Sequence, residues 1–220
     1  MKAMILAAGR GERMRPLTDH TPKPLLSVGG KPLIVWHLER LANAGFKEVV
    51  INHAHLGEQI EQALGDGSAW QLKIQYSAED SALETAGGIA NALHLLGDEP
   101  FLVVNGDVFA EIEFKNLPLE SSHLAHLVMV DNPPQHPNGD FALISGKINE
   151  EGDHKLTFSG VGVYHPDLFA MVERGQAAKL APLLRSAMAK GLVTGEHYQG
   201  VWHDIGTPER LALLDKQLSQ

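Results

Sequence analysis

The chain lacks cysteine, long apolar runs and an excess of basic residues, and each absence excludes a class of protein. Without cysteine there are no disulfide bonds, zinc–thiolate sites or iron–sulfur clusters, which fits a reducing cytoplasm. No apolar run is long enough to span a bilayer, and the run at the N-terminus is too short for the core of a signal peptide. We therefore expect a cytoplasmic protein with no membrane partner.

Basic residues are few, but they are unevenly distributed. The chain has 18 Lys and Arg against 27 Asp and Glu, so its net charge is −9 at pH 7. An acidic protein is poorly suited to binding nucleic acid, and we expect no nucleic-acid partner. One short segment nevertheless concentrates Arg10, Arg13, Arg15 and Lys23. This local cluster predicts a site for an anionic ligand.

The first half of the chain alternates between strand-like and helix-like segments. Apolar runs predict strands at 3–8, 47–52, 72–76 and 101–104, and helical periodicity predicts helices at 34–41, 58–64 and 86–96. This alternation predicts β-α-β units and a mostly parallel sheet. Ligands of such α/β proteins bind beyond the carboxyl ends of the strands, so the residues that follow each strand are candidate site residues.

The second half breaks this alternation. Strand-like segments at 124–130, 141–144 and 156–164 have no helices between them, which predicts a mixed extension of the same sheet. Prolines around Asn138-Gly139 predict a loop over the site. A helix at 180–190, a strand at 201–205 and a final helix capped by Thr207 complete the chain. With 220 residues and no linker or repeat, we expect one domain, 1–220, and a monomer by default.

A glycine-rich loop follows the first predicted strand. Gly9 and Gly11 allow backbone N–H groups to approach a ligand closely and to form an anion-binding nest. Pro22 and Pro24 fix the backbone on both sides of Lys23 and hold it in an extended segment. The Gly-x-Gly pair alone is equally consistent with a surface turn, because short glycine patterns recur by chance.

Two carboxylates are expected at strand ends. Asn105-Gly106-Asp107 follows the apolar strand at 101–104, and Asp204 lies in the last predicted strand. Each has a simpler interpretation, since Asn, Gly and Asp favour turns and an acidic side chain stabilises a helix N-terminus. Two carboxylates without nearby cysteine suit Mg²⁺ shared with substrate phosphates.

The complete loop pattern is more specific than its glycines. Gly9-x-Gly11-x-Arg13-x-x-Pro16-Leu17-Thr18, followed by Pro22-Lys23-Pro24, resembles the signature of the sugar-1-phosphate nucleotidylyltransferases. Asn105-Gly106-Asp107 and the segment 202–208 occur in the order found in that family, so the resemblance covers essentially the whole chain. The loop lacks the Gly-Lys-Ser/Thr ending of a P-loop and the third glycine of a dinucleotide-binding fold.

The resemblance implies a Rossmann-like, GT-A-type α/β fold with a central mixed, mostly parallel sheet flanked by helices. It implies Mg²⁺ as cofactor, bound by Asp107 and Asp204, and phosphate binding by Arg13 and Lys23, so these four residues are the expected catalytic group. The expected nucleotide-binding residues are Leu6, Ala7, Ala8, Gly9, Gly11, Arg13, Lys23, Glu79 and Thr85. The expected sugar-binding residues are Asn105, Gly139 and Asp140.

The implied reaction joins a nucleoside triphosphate to a sugar 1-phosphate and releases pyrophosphate. A carboxylate only accepts hydrogen bonds, so Glu79 favours a base with a ring N–H on its pairing edge, such as uracil, thymine or guanine. The resemblance favours UTP. The segments LETAGGI, NGDFAL, FSGVGVY and KLAPLLRSAM are most similar to family members that use N-acetyl-α-muramate 1-phosphate in peptidoglycan recycling. Lys179 and Arg185 are candidate cations for the extra carboxylate of that sugar.

Other functions remain open at this point. Glucose, N-acetylglucosamine or mannose 1-phosphate are alternative acceptors, and dTTP or GTP are alternative donors. A catalytically silent sensor of nucleotide sugars is an alternative from another class, although Lys23, Asp107 and Asp204 argue against it. Glu84 stands where the family commonly has glycine, which makes any ligand contact by that backbone uncertain.

Overall fold

A nine-stranded mixed sheet forms the centre of the protein in the computed structural model, which describes residues 1–118 and 120–219. The strands of the described residues are β1 (Ala3–Leu6), β2 (Ser27–Val28), β3 (Lys31–Pro32), β4 (Glu48–His53), β5 (Lys73–Ala78), β6 (Phe101–Asn105), β7 (Val108–Ala110), β8 (Ala125–Val130), β9 (Phe141–Ile144), β10 (Lys147–Asn149), β11 (Lys155–Tyr164), β12 (Val193–His197) and β13 (Trp202–Asp204). The α-helices are α1 (Leu33–Asn43), α2 (Gly57–Leu64), α3 (Glu84–Leu96), α4 (Leu180–Met188) and α5 (Pro208–Leu218).

The strand order of this sheet is β5-β4-β1-β6-β11-β8-β12-β10-β9. The first four strands in that order are parallel, β11 is antiparallel to both β6 and β8, and β12 is parallel to β8. The predicted parallel half and its mixed extension are therefore confirmed. The parallel strands place their carboxyl ends along one edge, as right-handed β-α-β crossovers require.

Several boundaries differ from the sequence-based expectations. The strand expected at 201–205 is β13, which pairs only with β7 in a separate two-stranded ribbon. Helix α3 begins at Glu84, so the glycine pair at 87–88 lies inside its first turns and not at its start. The helix expected to reach residue 190 ends at Met188. β7, β10 and β12 were not expected. The partners of β7 and β12 are distant in sequence, whereas β10 is a three-residue strand that forms a hairpin with β9.

Both faces of β1, β4 and β6 are buried, which explains why these parallel strands are mostly apolar, whereas the edge strand β5 is partly exposed. Along β1, Ala3 and Ile5 face one core cluster and Met4 faces the other. Ile34 of α1 belongs to the first cluster, and Ile89 of α3 belongs to the second. Helices therefore cover the sheet on both sides, as the fold expectation required.

A third, smaller cluster supports the segment that follows β1. It combines Met14 with Phe109 of β7 and Leu214 of α5, all nearly inaccessible to solvent. Helix α5 starts as expected, because the Thr207 Oγ1 accepts a hydrogen bond from the Arg210 backbone N–H at 3.5 Å. The C-terminal helix and the ribbon thus pack beneath the glycine-rich loop. Among the described residues, no helix is both long and apolar enough to cross a bilayer.

His37 of α1 is a buried titratable side chain, only 2% exposed. Neither of its ring nitrogens has a hydrogen-bond partner among the described residues. Burial lowers the pKa of His37 from 6.5 to about 4; the guanidinium of Arg40 adds to the shift, whereas the Val108 backbone and the Asp107 carboxylate oppose it. The imidazole is therefore neutral in the folded protein near neutral pH.

We predict that this histidine makes the protein less stable in mild acid. The unfolded chain binds the proton near the ordinary pKa, so the stability present above pH 6.5 is lost as the pH falls toward 4. Between about pH 7.5 and about pH 5, the parent should lose roughly 2 kcal/mol more unfolding free energy than His37→Leu. Urea unfolding at both pH values measures this difference. Equal losses in the two proteins would contradict it.

Candidate active site

A cleft of about 570 Å³ opens at the carboxyl ends of β1, β4 and β6. Polar and small residues line it, and many of them follow directly after these strands. The expected site residues that line the cleft are Leu6, Ala7, Ala8, Gly9, Gly11, Arg13, Lys23, Glu79, Thr85, Asn105 and Asp107. Residues spread over 102 positions of the sequence therefore meet at one edge of the sheet.

The glycine-rich loop forms the floor of the cleft and requires glycine at position 11. Gly11 has a φ of 67°, and its carbonyl oxygen accepts a hydrogen bond from the Thr18 hydroxyl at 2.8 Å. A Cβ atom at Gly11 would lie 3.0 Å from Thr18 Cγ2 and 3.2 Å from Lys23 Cβ. Any other residue would be strained and would push Lys23 out of place.

Lys23 and Asp107 form a salt bridge across the cleft. The Lys23 Nζ donates to Asp107 Oδ2 at 2.7 Å, and Lys23 is only 8% exposed. A buried ammonium requires a compensating charge, and Asp107 supplies it from the turn after β6. The pair joins the loop after β1 to the end of a neighbouring strand. It also brings a cation and a carboxylate to one point beside the loop.

Asp204 lies next to this point but does not itself line the cleft. In the β7–β13 ribbon it pairs with Val108, and the Ile205 N–H donates to the Asp107 carbonyl oxygen at 2.8 Å. The Asp204 Oδ2 accepts a hydrogen bond from the Arg210 guanidinium. The neighbouring residue, Gly206, does line the cleft. The two expected metal ligands are therefore carried by adjacent strands of one ribbon.

Gly206 lies close to both Asp204 and Arg13. A Cβ atom at Gly206 would lie 3.3 Å from Asp204 Oδ1 and 3.4 Å from Arg13 Nη1. Arg13 makes no salt bridge within residues 1–118 and 120–219, so its charge is available to a ligand. Partial burial lowers the pKa of His203, which keeps this neighbour of Asp204 neutral at pH 7.

The donor atoms at Asp107 and Asp204 fit a hard divalent cation. Each carboxylate uses one oxygen for its cationic partner, and within the described ranges the other oxygen, Oδ1, accepts no hydrogen bond. The described residues contain no group of three or more His, Asp or Glu side chains that could hold a metal ion by themselves. Mg²⁺ is usually bound by one or two protein carboxylates, and phosphate and water oxygens complete its coordination.

Glu79 and Thr85 lie on the opposite side of the cleft from Asp107. Glu79 is 7% exposed and its carboxylate accepts two hydrogen bonds, one from Asn52 Nδ2 at 2.7 Å and one from the Leu83 N–H at 2.9 Å. Asn52 also lines the cleft, and the sequence analysis missed it. The sequence does contain a signal for Asn52, because this residue lies at the end of a predicted buried strand, as Asp107 does.

Glu84 adopts a φ of 60°, in the left-handed region that favours glycine. This agrees with the expectation that glycine is the common residue at this position in similar chains. Glu84 begins α3 and lines the cleft, and the first turn of α3 donates its Ala86 and Gly87 N–H groups to the Ala178 carbonyl oxygen. The backbone at the start of α3 is therefore held by hydrogen bonds to the segment that precedes α4.

Gly139 and Asp140, the other expected sugar contacts, are not part of the cleft lining. Asp140 accepts a hydrogen bond from the Phe158 N–H at 2.8 Å and contacts His136 Nε2 at 3.0 Å. These contacts fix the loop before β9. A role of either residue in sugar binding stays a prediction.

The two candidate cations of the second half differ in their partners. Arg185 Nε lies 2.9 Å from Glu150 Oε1, so its charge is already paired. Lys179 has no salt bridge within the part of the chain that the structure describes. It precedes α4 and follows Ala178, whose N–H donates to the Leu83 carbonyl oxygen at the rim of the cleft. Lys179 is the better placed of the two.

Comparison with known proteins assigns the family. The family model described as "Nucleotidyl transferase" matches residues 2–220. An N-acetylmuramate alpha-1-phosphate uridylyltransferase from Neisseria meningitidis is 59% identical, over 96% of this chain and 95% of that protein. An enzyme of the same name from Caulobacter vibrioides is 31% identical, over 99% of this chain and 97% of that protein.

Solved structures agree on the fold. A Bacillus anthracis protein described as a glucose-1-phosphate thymidylyltransferase superposes with a TM-score of 0.87 at 21% identity, covering 100% of this chain and 96% of that chain. HddC from Yersinia pseudotuberculosis superposes with a TM-score of 0.79 at 21% identity, covering 98% of both chains. At this identity the likeness concerns the fold alone. The family model matches residues 2–220, and the chain therefore belongs to the nucleotidyl transferase family.

Proposed function

We propose that the protein transfers a uridylyl group from UTP to N-acetyl-α-muramate 1-phosphate, giving UDP-N-acetylmuramate and pyrophosphate. The observation that carries the reaction type is the meeting of the Gly9–Gly11 loop, Lys23 and Asp107 at one edge of the sheet. The choice of UTP and of the muramate acceptor is supported by the 59% identity to the Neisseria enzyme.

In the proposed reaction, a phosphate oxygen of the sugar 1-phosphate attacks the α-phosphorus of UTP, and pyrophosphate leaves. No general base is required, because a phosphate monoester with a second pKa of about 6 is already mostly dianionic at neutral pH. The protein has to bring two anions together and stabilise charge on the transferred group. Lys23 lies beside the glycine-rich loop and would neutralise the converging phosphates, and Arg13 would hold the leaving pyrophosphate.

Asp107 and Asp204 would hold Mg²⁺ through their free carboxylate oxygens. When bound, the ion supplies positive charge between the two phosphates and orients them for in-line displacement. The salt bridges that these carboxylates make to Lys23 and Arg210 hold both side chains in place before the ion binds. A hard oxygen-ligated cation and this donor set are therefore compatible.

The base would be bound at Glu79 and Thr85. A carboxylate has about four lone-pair sites, and Glu79 uses two of them for Asn52 and the Leu83 N–H. An acceptor therefore remains for the N3–H of uracil. Backbone groups of Leu6, Ala7 and Ala8 line the space between this side and the phosphate loop.

We further propose that residues 1–220 form one domain, that the protein acts as a monomer in the cytoplasm, and that it serves peptidoglycan recycling. Neither a membrane nor nucleic acid takes part in the proposed reaction. The net charge of −9 supports the exclusion of nucleic acid. Both substrates are small anions, and the local cations at the cleft suit them.

A substrate matrix tests the proposed function. UTP, dTTP, GTP and CTP are each combined with the 1-phosphates of N-acetylmuramate, N-acetylglucosamine, glucose and mannose, and pyrophosphate release is followed. We expect UTP with N-acetylmuramate 1-phosphate to give the highest kcat/KM. A preference for another sugar would move the protein to a different substrate within the family. Binding of UDP-sugars without turnover of any pair would favour the sensor.

The metal ligands give a second prediction. Asp107→Asn and Asp204→Asn keep the shape of each side chain but remove its charge, so each should lower kcat by about a hundredfold or more. Asp167→Asn, at a surface carboxylate outside the cleft, is the matched control and should leave kcat unchanged. Calorimetry with UTP, with and without EDTA, should show Mg²⁺-dependent binding in the parent and in Asp167→Asn, but not in Asp107→Asn or Asp204→Asn. Near-parent rates in Asp204→Asn would remove this residue from the site.

The cations near α4 give a third prediction. Lys179→Gln should raise the KM for N-acetylmuramate 1-phosphate by about twofold to fivefold, since an exposed ion pair contributes up to about 1 kcal/mol. It should not change the KM for N-acetylglucosamine 1-phosphate, which lacks the lactyl carboxylate. Arg185→Gln is the control, because Glu150 already pairs with that charge. Equal changes for both sugars would show that Lys179 does not distinguish them.

A further inference from the structure

Three hydrogen bonds form a continuous chain across the base side of the cleft. The Ala7 N–H donates to Asn52 Oδ1 at 2.9 Å, and Asn52 Nδ2 donates to Glu79 Oε1 at 2.7 Å. The Leu83 N–H then donates to Glu79 Oε2 at 2.9 Å. Both side chains are buried, since Asn52 is 3% and Glu79 is 7% exposed. Buried polar groups of this kind are costly to leave without partners, so the chain is expected to persist.

This chain of hydrogen bonds joins parts of the site that are distant in sequence. Ala7 follows β1 and begins the glycine-rich loop, Asn52 is near the end of β4, and Glu79 follows β5. Leu83 immediately precedes α3. One asparagine side chain therefore links the backbone of the phosphate loop to the carboxylate on the base side.

The donors and acceptors of this hydrogen-bond chain allow only one orientation of the Asn52 amide group. Both backbone ends are N–H donors, so the Asn52 oxygen must face Ala7 and its amide must face Glu79. Helix α3 closes the space behind them, because a Cβ atom at Gly88 would lie 2.8 Å from both Asn52 Nδ2 and Glu79 Oε1. There is no room for either side chain to move away toward the helix.

We infer that Asn52 is a positioning residue that sets the spacing between the phosphate loop and the base-binding carboxylate of Glu79. This inference rests on the proposed function, because the spacing matters only if one nucleoside triphosphate spans both parts. Asn52 does not act on the reacting atoms. Its loss should weaken binding of the triphosphate and leave binding of the acceptor sugar phosphate unchanged.

Each single substitution places two hydrogen-bond acceptors, or two hydrogen-bond donors, opposite one another. N52D keeps the oxygen that accepts from Ala7 but replaces the amide by an oxygen that faces the Glu79 carboxylate. E79Q introduces an amide that must face either the Leu83 N–H or the Asn52 amide. Because a buried partner is lost in each case, we expect the Kd for UTP to rise about tenfold or more.

The double variant N52D/E79Q restores the chain with its inner bond reversed. The new carboxylate at position 52 accepts from the Ala7 N–H and from the new amide at position 79. The amide oxygen at position 79 accepts from the Leu83 N–H and keeps its second lone pair for the N3–H of uracil, so the base contact is retained. We expect its Kd for UTP to return to within about threefold of the parent, a strongly non-additive result. A purely structural role of either residue would lower the thermal unfolding temperature of the single variants and weaken binding of both substrates alike, whereas the positioning role weakens binding of UTP alone.

Asn91→Asp provides the matched control. Asn91 lies on α3, donates to the Ser77 hydroxyl at 3.2 Å and is not part of the cleft lining. The measurements are calorimetric titration with UTP in the absence of acceptor, the KM for each substrate, and the thermal unfolding temperature. The control should bind UTP as the parent does. Comparison with this control separates the effect of losing a hydrogen-bonded, partly buried amide on α3 from the effect of losing the Asn52 amide.

The outcomes distinguish the inference from the proposed function. A parent that binds no triphosphate would overturn both. A parent that binds UTP while N52D binds it equally well would overturn the inference alone, and so would a double variant no better than the single ones. If N52D does not fold, the double variant still decides, because recovery of both folding and UTP binding is expected only when the reversed chain forms.

Discussion

The salt bridge between Lys23 and Asp107 is the contact on which the site depends. The segment between β1 and β2 contains only short 3₁₀ turns, so few backbone hydrogen bonds determine its path. Lys23, which is buried, anchors that segment to the end of β6, and Asp107 in turn begins the ribbon that carries Asp204. Such an ion pair adds little net stability, but the loss of Asp107 would leave the buried Lys23 ammonium without compensation. The pair therefore keeps the phosphate loop and the two carboxylates together.

The sheet determines which residues can meet at this pair. Parallel pairing of β5, β4, β1 and β6 brings Glu79, Asn52, Ala7 and Asn105 to adjacent strand ends, although they are far apart in sequence. Polar residues are tolerated there because each strand emerges from the core at that edge. The base side and the phosphate side of the cleft are thus two neighbouring parts of one sheet edge. In the proposed function, one nucleoside triphosphate would span both parts.

Local patterns predicted the parts of the protein that local physics determines. The alternation of strands and helices, the Thr207 cap and the position of Asp107 after an apolar strand required only neighbouring residues. β12 could not be predicted, because Val193–His197 contains a central glycine and is stabilised by β8 and β10. Gly195 is needed there, since a Cβ atom would lie 2.7 Å from the backbone oxygen of Leu127 in β8. Asn52 escaped notice because its partners Ala7 and Glu79 are 45 and 27 positions away.

The central claim is that an oxygen of the sugar phosphate attacks the α-phosphorus of UTP. It is tested most directly by labelling the non-bridging phosphate oxygens of N-acetylmuramate 1-phosphate with a heavy isotope and analysing both products by mass spectrometry. The account predicts that UDP-N-acetylmuramate retains all of the label, including the oxygen that bridges the two phosphates, and that pyrophosphate contains none. Label in pyrophosphate, or the absence of a labelled nucleotide sugar, would contradict it.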